Sequence, residues 1–241
     1  MGDWFGRLPK SDCLVEETQS GPVAFYFRPA DDGSRPGTFF MNTEDPTSWG
    51  RFQIEATAYH EGIPGHHLQI GFTMTLGDKL NRYQKITFAP ANGEGWALYS
   101  ERLMDELGYY EDQPAWRMGM LQAGLFRAAR VIVDVGMHLE FAIPESSDFC
   151  PGEIWSYEHA VEFLSTRSHE AQLSLQSEVT RYLGWPAQAI TYKLGERAWL
   201  AAREQARQRQ GGDFSLKAFH HNALELGPLG LDQLVAEMAR I

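Results

Sequence analysis

The chain has 241 residues, 43% of them hydrophobic and 22% charged, which suffices to bury a substantial core as one domain or two small ones. A formal net charge of −11 argues against nucleic acid or an anionic membrane as partner. No apolar run is long enough to span a bilayer, and Met1-Gly2-Asp3-Trp4 is not followed by the basic and then apolar segments of a signal peptide, so a cytoplasmic location is the default expectation. Cys13 and Cys150 offer neither a disulfide framework nor a paired metal spacing.

Residues 1–48 read as an extended start. Pro22 to Arg28 and Thr38 to Asn42 are β-prone runs joined by the turn-rich segment Asp31 to Gly37, which predicts a short N-terminal hairpin. A free edge on it is placed to pair with the backbone of an extended peptide; the alternative is a hairpin that only packs the N-terminus. Residues 49–241 read as helical, so the expected fold is mainly α.

The first helical stretch, from about Trp49 to Leu76, contains His60-Glu61-Gly62-Ile63-Pro64-Gly65-His66-His67. Two imidazoles suit a zinc ion, and Glu61 is placed to take a proton from a water on that ion. In the usual zincin helix the two His stand four residues apart, one above the other on a single face. Here the candidates follow His60 by six residues (His66) and seven (His67). Seven residues of ideal helix separate side-chain bases by about 10 Å, too far for one ion with Zn–N bonds of about 2.0–2.1 Å. The helix must break between them, and Pro64-Gly65 is the natural place. If two residues loop out there, His66 falls where the second ligand belongs, with His67 as its alternate. The competing reading has His60 ending one helix and His66 capping the next, with no metal.

A second helix is predicted from Asn92-Gly93 to Leu107, with Gly108 as the stop. It contains Glu94-Gly95-Trp96-Ala97-Leu98-Tyr99-Ser100-Glu101, which resembles the Asn-Glu-Gly-Phe-Ala-x-Tyr-x-Glu segment of the zinc aminopeptidases. The resemblance implies that Glu94 is the third metal ligand. Glu101 lies on the same face two turns on, which suits a carboxylate supporting the ligands rather than another ligand. Without metal, Glu94 reads as a helix-start carboxylate near the positive end of the dipole.

A third helix spans Pro114 to Phe141, ended by Pro144. Arg127, Arg130, Asp134 and His138 fall on one face of it amid apolar residues, where charges are costly unless paired. One reading makes this strip a support for the metal site, with Asp134 accepting the free N–H of a ligand histidine and His138 beside it. The other is an internal salt-bridge network with no catalytic duty.

Further helices fit Pro151 to Ser165, His169 to Leu183, Pro186 to Gln208 and Leu216 to Leu224. Thr180-Arg181-Tyr182-Leu183, followed by Gln188, is similar to the Ile-Arg-Tyr-Phe helix of the angiotensin-converting dipeptidases, whose Tyr stabilises the oxyanion. That implies Tyr182 as the oxyanion donor, with Tyr192 in reserve. Arg181 or Lys193 suits pairing with a substrate carboxylate. His159 and His169 receive no role.

The runs Gly33 to Asn42, His60 to Gln69, Arg181 to Gln188, Tyr192 to Gly195 and Phe219-His220 together resemble the bacterial domain of unknown function 885 family, grouped with the gluzincin peptidases. The resemblance implies a zincin-like helical domain, adds His220 as a residue facing the cleft, and implies a longer architecture. Members are more than twice this length, with a helical N-terminal part forming the opposite cleft wall. Residues 1–241 are then the C-terminal catalytic portion, and a missing N-terminal half or a second chain is the expected protein partner.

The expectation that follows is one zinc held by His60, His66 and Glu94, with Glu61 as general base and a peptide as substrate. Two competing expectations remain: a metal-free or silent helical assembly domain, and a zinc hydrolase acting on a non-peptide amide or ester.

Overall fold

Three short strands precede a succession of helices in the computed structural model, which describes residues 1–21, 23–44, 50–168 and 172–241. Strands β2 (Ala24–Phe27) and β3 (Gly37–Asn42) pair antiparallel with Tyr26 opposite Phe39, so the hairpin forms as the turn residues predict. A third strand, β1 (Cys13–Thr18), adds parallel to the other side of β3, giving the order β1-β3-β2. Its middle residues, Leu14 to Glu17, are all exposed, so no buried alternation marks it in the sequence. Pro22, Trp49 and His169, which open three of the predicted elements, lie outside the described residues.

The predicted stretch from residue 49 to 76 is two helices, α1 (Arg51–Glu61) and α2 (His66–Met74). Then come α3 (Arg82–Ile86), α4 (Pro90–Glu106), α5 (Pro114–His138), α6 (Tyr157–Ser168), α7 (Gln172–Gly184), α8 (Thr191–Gln210), α9 (Leu216–Glu225) and α10 (Leu231–Met238). Pro90 and Pro114 sit in the first turns of α4 and α5, where a missing N–H costs nothing. Asn81 and Ser215 cap α3 and α9, their side chains accepting from the amides of Gln84 (2.9 Å) and Ala218 (3.3 Å).

Some boundaries differ from the sequence pattern. α5 stops at His138, three residues early, where Glu140 takes a φ of 49° and the Phe141 amide turns back to the Gly136 carbonyl. α6 begins at Tyr157 rather than Pro151 because Ile154 bridges to Ala142 instead. α3 and α10 were not predicted; with five and eight residues, each shows too little periodicity to stand out.

α4 is the axis of the fold. Every residue from Asn92 to Glu101 is buried, as expected of a helix packed on all sides. Gly95 lies against Gly195 of α8, and a Cβ on either would overlap the other's backbone, so this pair sets how closely the two helices approach. Around them Leu68, Phe72, Trp96, Tyr99, Trp199 and Phe219 form the larger core, each large apolar side chain contributing about 1.5–3 kcal/mol by burial. A second core joins α5, α6 and α7 through Val133, Leu164, Val179 and Tyr182. Among the described residues no helix is long and apolar enough to cross a membrane.

Candidate metal centre

α1 ends with His60 and Glu61, and α2 opens at His66. Between them the Gly62 amide closes α1 on the Ala58 carbonyl (2.8 Å) and the His67 amide returns to the Gly62 carbonyl (3.1 Å), which makes residues 62–65 a tight loop. Gly65 presses on the carbonyls of Tyr59 and His60, where any Cβ would overlap them. A glycine is therefore required for α2 to start beside the end of α1. α4 holds the loop from the other side: Trp96 Nε1 donates to the carbonyls of Pro64 (2.8 Å) and Gly65 (3.2 Å), and Ser100 Oγ to that of Pro64 (3.3 Å). These buried donors satisfy carbonyls that the helix break would leave orphaned.

The break brings the rings of His60 and His66 together, with centroids 4.9 Å apart and planes at 86°. The Nε2 atoms of both lie 3.3 Å from Oε2 of Glu94, and all three side chains are buried. Ligands held tetrahedrally by one zinc at about 2.0–2.1 Å stand about 3.3–3.4 Å from one another. The donor set and the two nitrogen-to-oxygen separations therefore fit a zinc site, and the three ligand atoms lie within 4.8 Å of one another. Cys150, Glu153 and His159 also bring ligand atoms within 4.8 Å of one another, but Glu153 is exposed and His159 is already engaged by the Ile154 carbonyl.

His67 points elsewhere. Its Nε2 lies 3.0 Å from the Ser11 carbonyl and its Nδ1 2.8 Å from the Tyr26 hydroxyl. A neutral ring fits both, donating to the carbonyl and accepting from Tyr26, and burial lowers its pKa, against the pull of the Ser11 carbonyl. His67 thereby ties β2 and the N-terminal segment to α2, and places the hairpin next to the site.

Glu101 grips His60 from behind, with Oε1 2.7 Å from Nδ1. The two carboxylates of α4, seven residues apart on one face, thus hold opposite nitrogens of a single imidazole. Burial opposes a charged His60, but the hydrogen bonds to Glu101 and Glu94 outweigh it and push its pKa up to about 9. Burial likewise works against ionisation of Glu94, yet the His66 and His60 imidazoles hold its pKa well below the ordinary carboxylate range. Glu61 is pushed upward by burial, with His60 and His66 opposing. Glu61 Oε2, His66 Nδ1 and Glu101 Oε2 are buried without hydrogen-bond partners, and Glu94 Oε2 makes no well-aligned one. Three buried carboxyls gather here, with the guanidinium of Arg127 3.8 Å from Glu101. Uncompensated buried charge costs several kcal/mol, and a divalent cation offsets it.

The carboxylate that meets His60 Nδ1 is Glu101, not Asp134. Asp134 is two turns further along α5, where its Oδ1 lies 2.9 Å from Nδ1 of His138, and neither residue meets the His60 and His66 rings. The strip on α5 divides: Arg127 and Arg130 reach the site, while Asp134 and His138 pair with each other beside the second core.

Tyr182 is not positioned as the oxyanion donor. Its hydroxyl donates to Glu178 (2.9 Å) inside the second core, and burial pushes its pKa up. Tyr192, at the start of α8, lies over the site instead, its ring 6.0 Å from that of His60 at 17°. Gln188 Nε2 donates to the Tyr192 hydroxyl (3.4 Å), leaving the hydroxyl proton free. Arg130 lies over the face of Tyr192 at 4.3 Å and Arg127 at 5.5 Å. Burial, then Glu94, raises the pKa of Tyr192, so the phenol stays protonated.

Arg181 is occupied by Glu178 (2.7 Å) and Gln188 (2.6 Å), so it braces the amide that meets Tyr192. Lys193 pairs with Glu196 on the next turn. His220 does not face the cleft: it is fully buried in the larger core, bonded to the Tyr99 hydroxyl (2.7 Å) and the Trp4 carbonyl (2.8 Å). Its ring packs against Phe5, Trp96 and Tyr99. Trp96 and Ser100 carry site duties that sequence reasoning did not assign, because nothing local marks a tryptophan N–H as the partner of a distant loop carbonyl.

The chain is similar over residues 1–238 to the family described as "Bacterial protein of unknown function (DUF885)". A solved structure described as a "putative lipoprotein" from Colwellia psychrerythraea is 34% identical and superposes with a TM-score of 0.87, covering 100% of this chain and 40% of its own. A "putative lipoprotein of unknown function" from Shewanella oneidensis, 22% identical with a TM-score of 0.77 over 98% of this chain and 42% of its own, shares the fold. The chain thus spans about two fifths of the length of these relatives. No curated protein matches it. A family match over nearly all of its length settles one point: the chain belongs to the DUF885 family of bacterial proteins of unknown function.

Proposed function

We propose that this chain carries the metal centre of a zinc-dependent hydrolase, a gluzincin-like peptidase, with His60, His66 and Glu94 as the ligands. The observation that carries the reading is the 3.3 Å separation of Glu94 Oε2 from both imidazole nitrogens in a buried pocket that also holds Glu61 and Glu101. A zinc ion bound there supplies Lewis acidity, lowering the pKa of water and polarising a carbonyl. Glu61, adjacent to His60 with a free buried oxygen, accepts the proton of the attacking water and returns it to the leaving amine. Its raised pKa brings it nearer to that of a useful base. Tyr192 donates its proton to the oxyanion, steadied by Gln188 and by the guanidinium of Arg130. Glu101 holds His60 in the tautomer that leaves Nε2 available. The outer edge of β2, beside His67, suits pairing with an extended peptide backbone. The naming of the Colwellia relative as a lipoprotein favours an envelope setting over the cytoplasm.

Metal analysis of the purified protein tests the proposal. About one zinc per chain is expected, lost in His60→Ala and His66→Ala. Glu61→Gln should retain the ion and lose nearly all hydrolysis of a peptide mixture. A chain that binds no metal is an assembly domain instead, and unaltered turnover in Glu61→Gln removes the general base.

A further inference from the structure

A cavity of about 360 Å³ lies alongside the metal group, between α2, α3, α4 and α9. The polypeptide joins the two directly. Gln69, one turn after the ligand His66, and Gly93, immediately before the ligand Glu94, both line it. Phe88 is the partition: it lines the cavity, its ring centroid is 5.8 Å from that of His66, and a Cβ on Gly93 would overlap it. Phe88 and neighbouring Ile86 are themselves 46% and 77% exposed, so the rim beside the metal group is apolar and open to solvent.

The walls are hydrophobic, formed by Ile70, Met74, Leu80, Trp199 and Leu224. Arg28, Asp31 and Lys85 also line the cavity, Arg28 paired with Asp31 and Lys85 with Asp78, and the side-chain amides of the lining are held by hydrogen bonds. Gln69 Nε2 donates to Asn92 Oδ1 (2.7 Å), Asn92 Nδ2 to the Gly227 carbonyl (3.2 Å) and Gln84 Nε2 to the Leu226 carbonyl (3.1 Å). The apolar wall therefore favours an apolar guest, since the side-chain amides beside it are already paired. The volume is in the range of ligand pockets and accommodates a large side chain.

We propose that this cavity is the specificity pocket of the hydrolase, receiving a bulky apolar side chain, aromatic or branched aliphatic, from the residue next to the scissile bond. The proposal rests on the peptidase reading above and adds the substrate class. Phe88 borders the entrance, packing on the guest from one face and on His66 from the other.

The test uses the Glu61→Gln protein, in which bound peptides survive, and calorimetric titration with a pair of peptides differing only in Phe against Ala. Binding of the Phe peptide at least tenfold tighter is expected. Thr73→Trp, which projects an indole from α2 into the cavity, should collapse that ratio to near one. Met74→Ala, which enlarges the cavity, should shift preference toward a naphthylalanine peptide and keeps the test open if the Trp variant does not fold. Equal binding of the Phe and Ala peptides overturns the pocket, as does a preference that both variants leave unchanged. The two readings fail separately. Hydrolysis by the wild type with no Phe preference leaves the peptidase and removes the pocket. A Phe preference that Thr73→Trp abolishes, in a protein that hydrolyses nothing, leaves an apolar binding site and removes the peptidase.

Discussion

Glu101 Oε1 stands 2.7 Å from His60 Nδ1, while Glu94, seven residues earlier on the same helix, faces His60 Nε2 at 3.3 Å. One imidazole is thus held at both nitrogens by one face of α4. This leaves the ring no freedom to turn away from His66, so the geometry proposed to hold an ion is fixed by the protein itself.

Replacing Glu101 by Gln keeps the shape of the side chain but removes the charge that orients His60. Metal affinity should fall about 10- to 100-fold, the usual cost of losing such a partner. Competition against a chelator of known affinity measures it, and an unchanged constant would assign the orienting role elsewhere.

Tyr192→Phe should lower kcat/KM by about 10²–10³, equivalent to about 2.7–4 kcal/mol, with zinc content unaltered. Tyr182→Phe removes a hydroxyl bonded to Glu178 in the second core, so its effect should appear in stability rather than in turnover. If Tyr182→Phe costs activity and Tyr192→Phe does not, the oxyanion assignment reverses.

His66→Ala and His67→Ala separate ligand from scaffold. The first should lose the metal. The second should keep it and cost about 1–3 kcal/mol of unfolding free energy, because the Tyr26 hydroxyl and Ser11 carbonyl lose their partner. Denaturant titration with parallel metal analysis decides between them, and metal loss in His67→Ala alone would exchange the two roles.

His220 links stability to pH. Burial first, with Arg203 in support and the Trp4 carbonyl opposing, lowers its pKa from 6.5 to about 4. Between those values the unfolded chain binds a proton that the folded one does not, so stability falls as pH drops from about 6.5 toward 4 and levels off below. The gap is worth at most about 3 kcal/mol. The unfolding free energy from urea titration should drop more between pH 7.5 and pH 4.5 in the wild type than in His220→Gln, by up to about 3 kcal/mol; identical pH dependence in both would exclude His220.

The helical pattern, the hairpin and the break at Pro64-Gly65 were legible because each depends on residues close in sequence. Local backbone sterics decide where a proline ends a helix and where a glycine permits the chain to fold back, and the turn residues between β2 and β3 decide that they pair. The choice of His66 over His67 followed from the same local geometry. Strand β1 escaped notice because its exposed residues show no one-sided burial.

Contacts between helices were another matter. Glu101 and Asp134 both looked able to orient a ligand, and Tyr182 and Tyr192 both looked able to donate to an oxyanion, since each sits on a suitable helix face. Which one meets the metal group depends on how the helices cross, and for Tyr192 on α8 the close Gly95–Gly195 approach to α4 sets that crossing. The same packing buries His220 far from the ligands and opens the cavity beside His66. The sequence by itself determined the local elements and the candidate ligand residues, because covalent spacing and backbone sterics act over a few residues. Only the tertiary structure decided which side chains stand behind the ligands, because that requires close packing between segments a hundred residues apart.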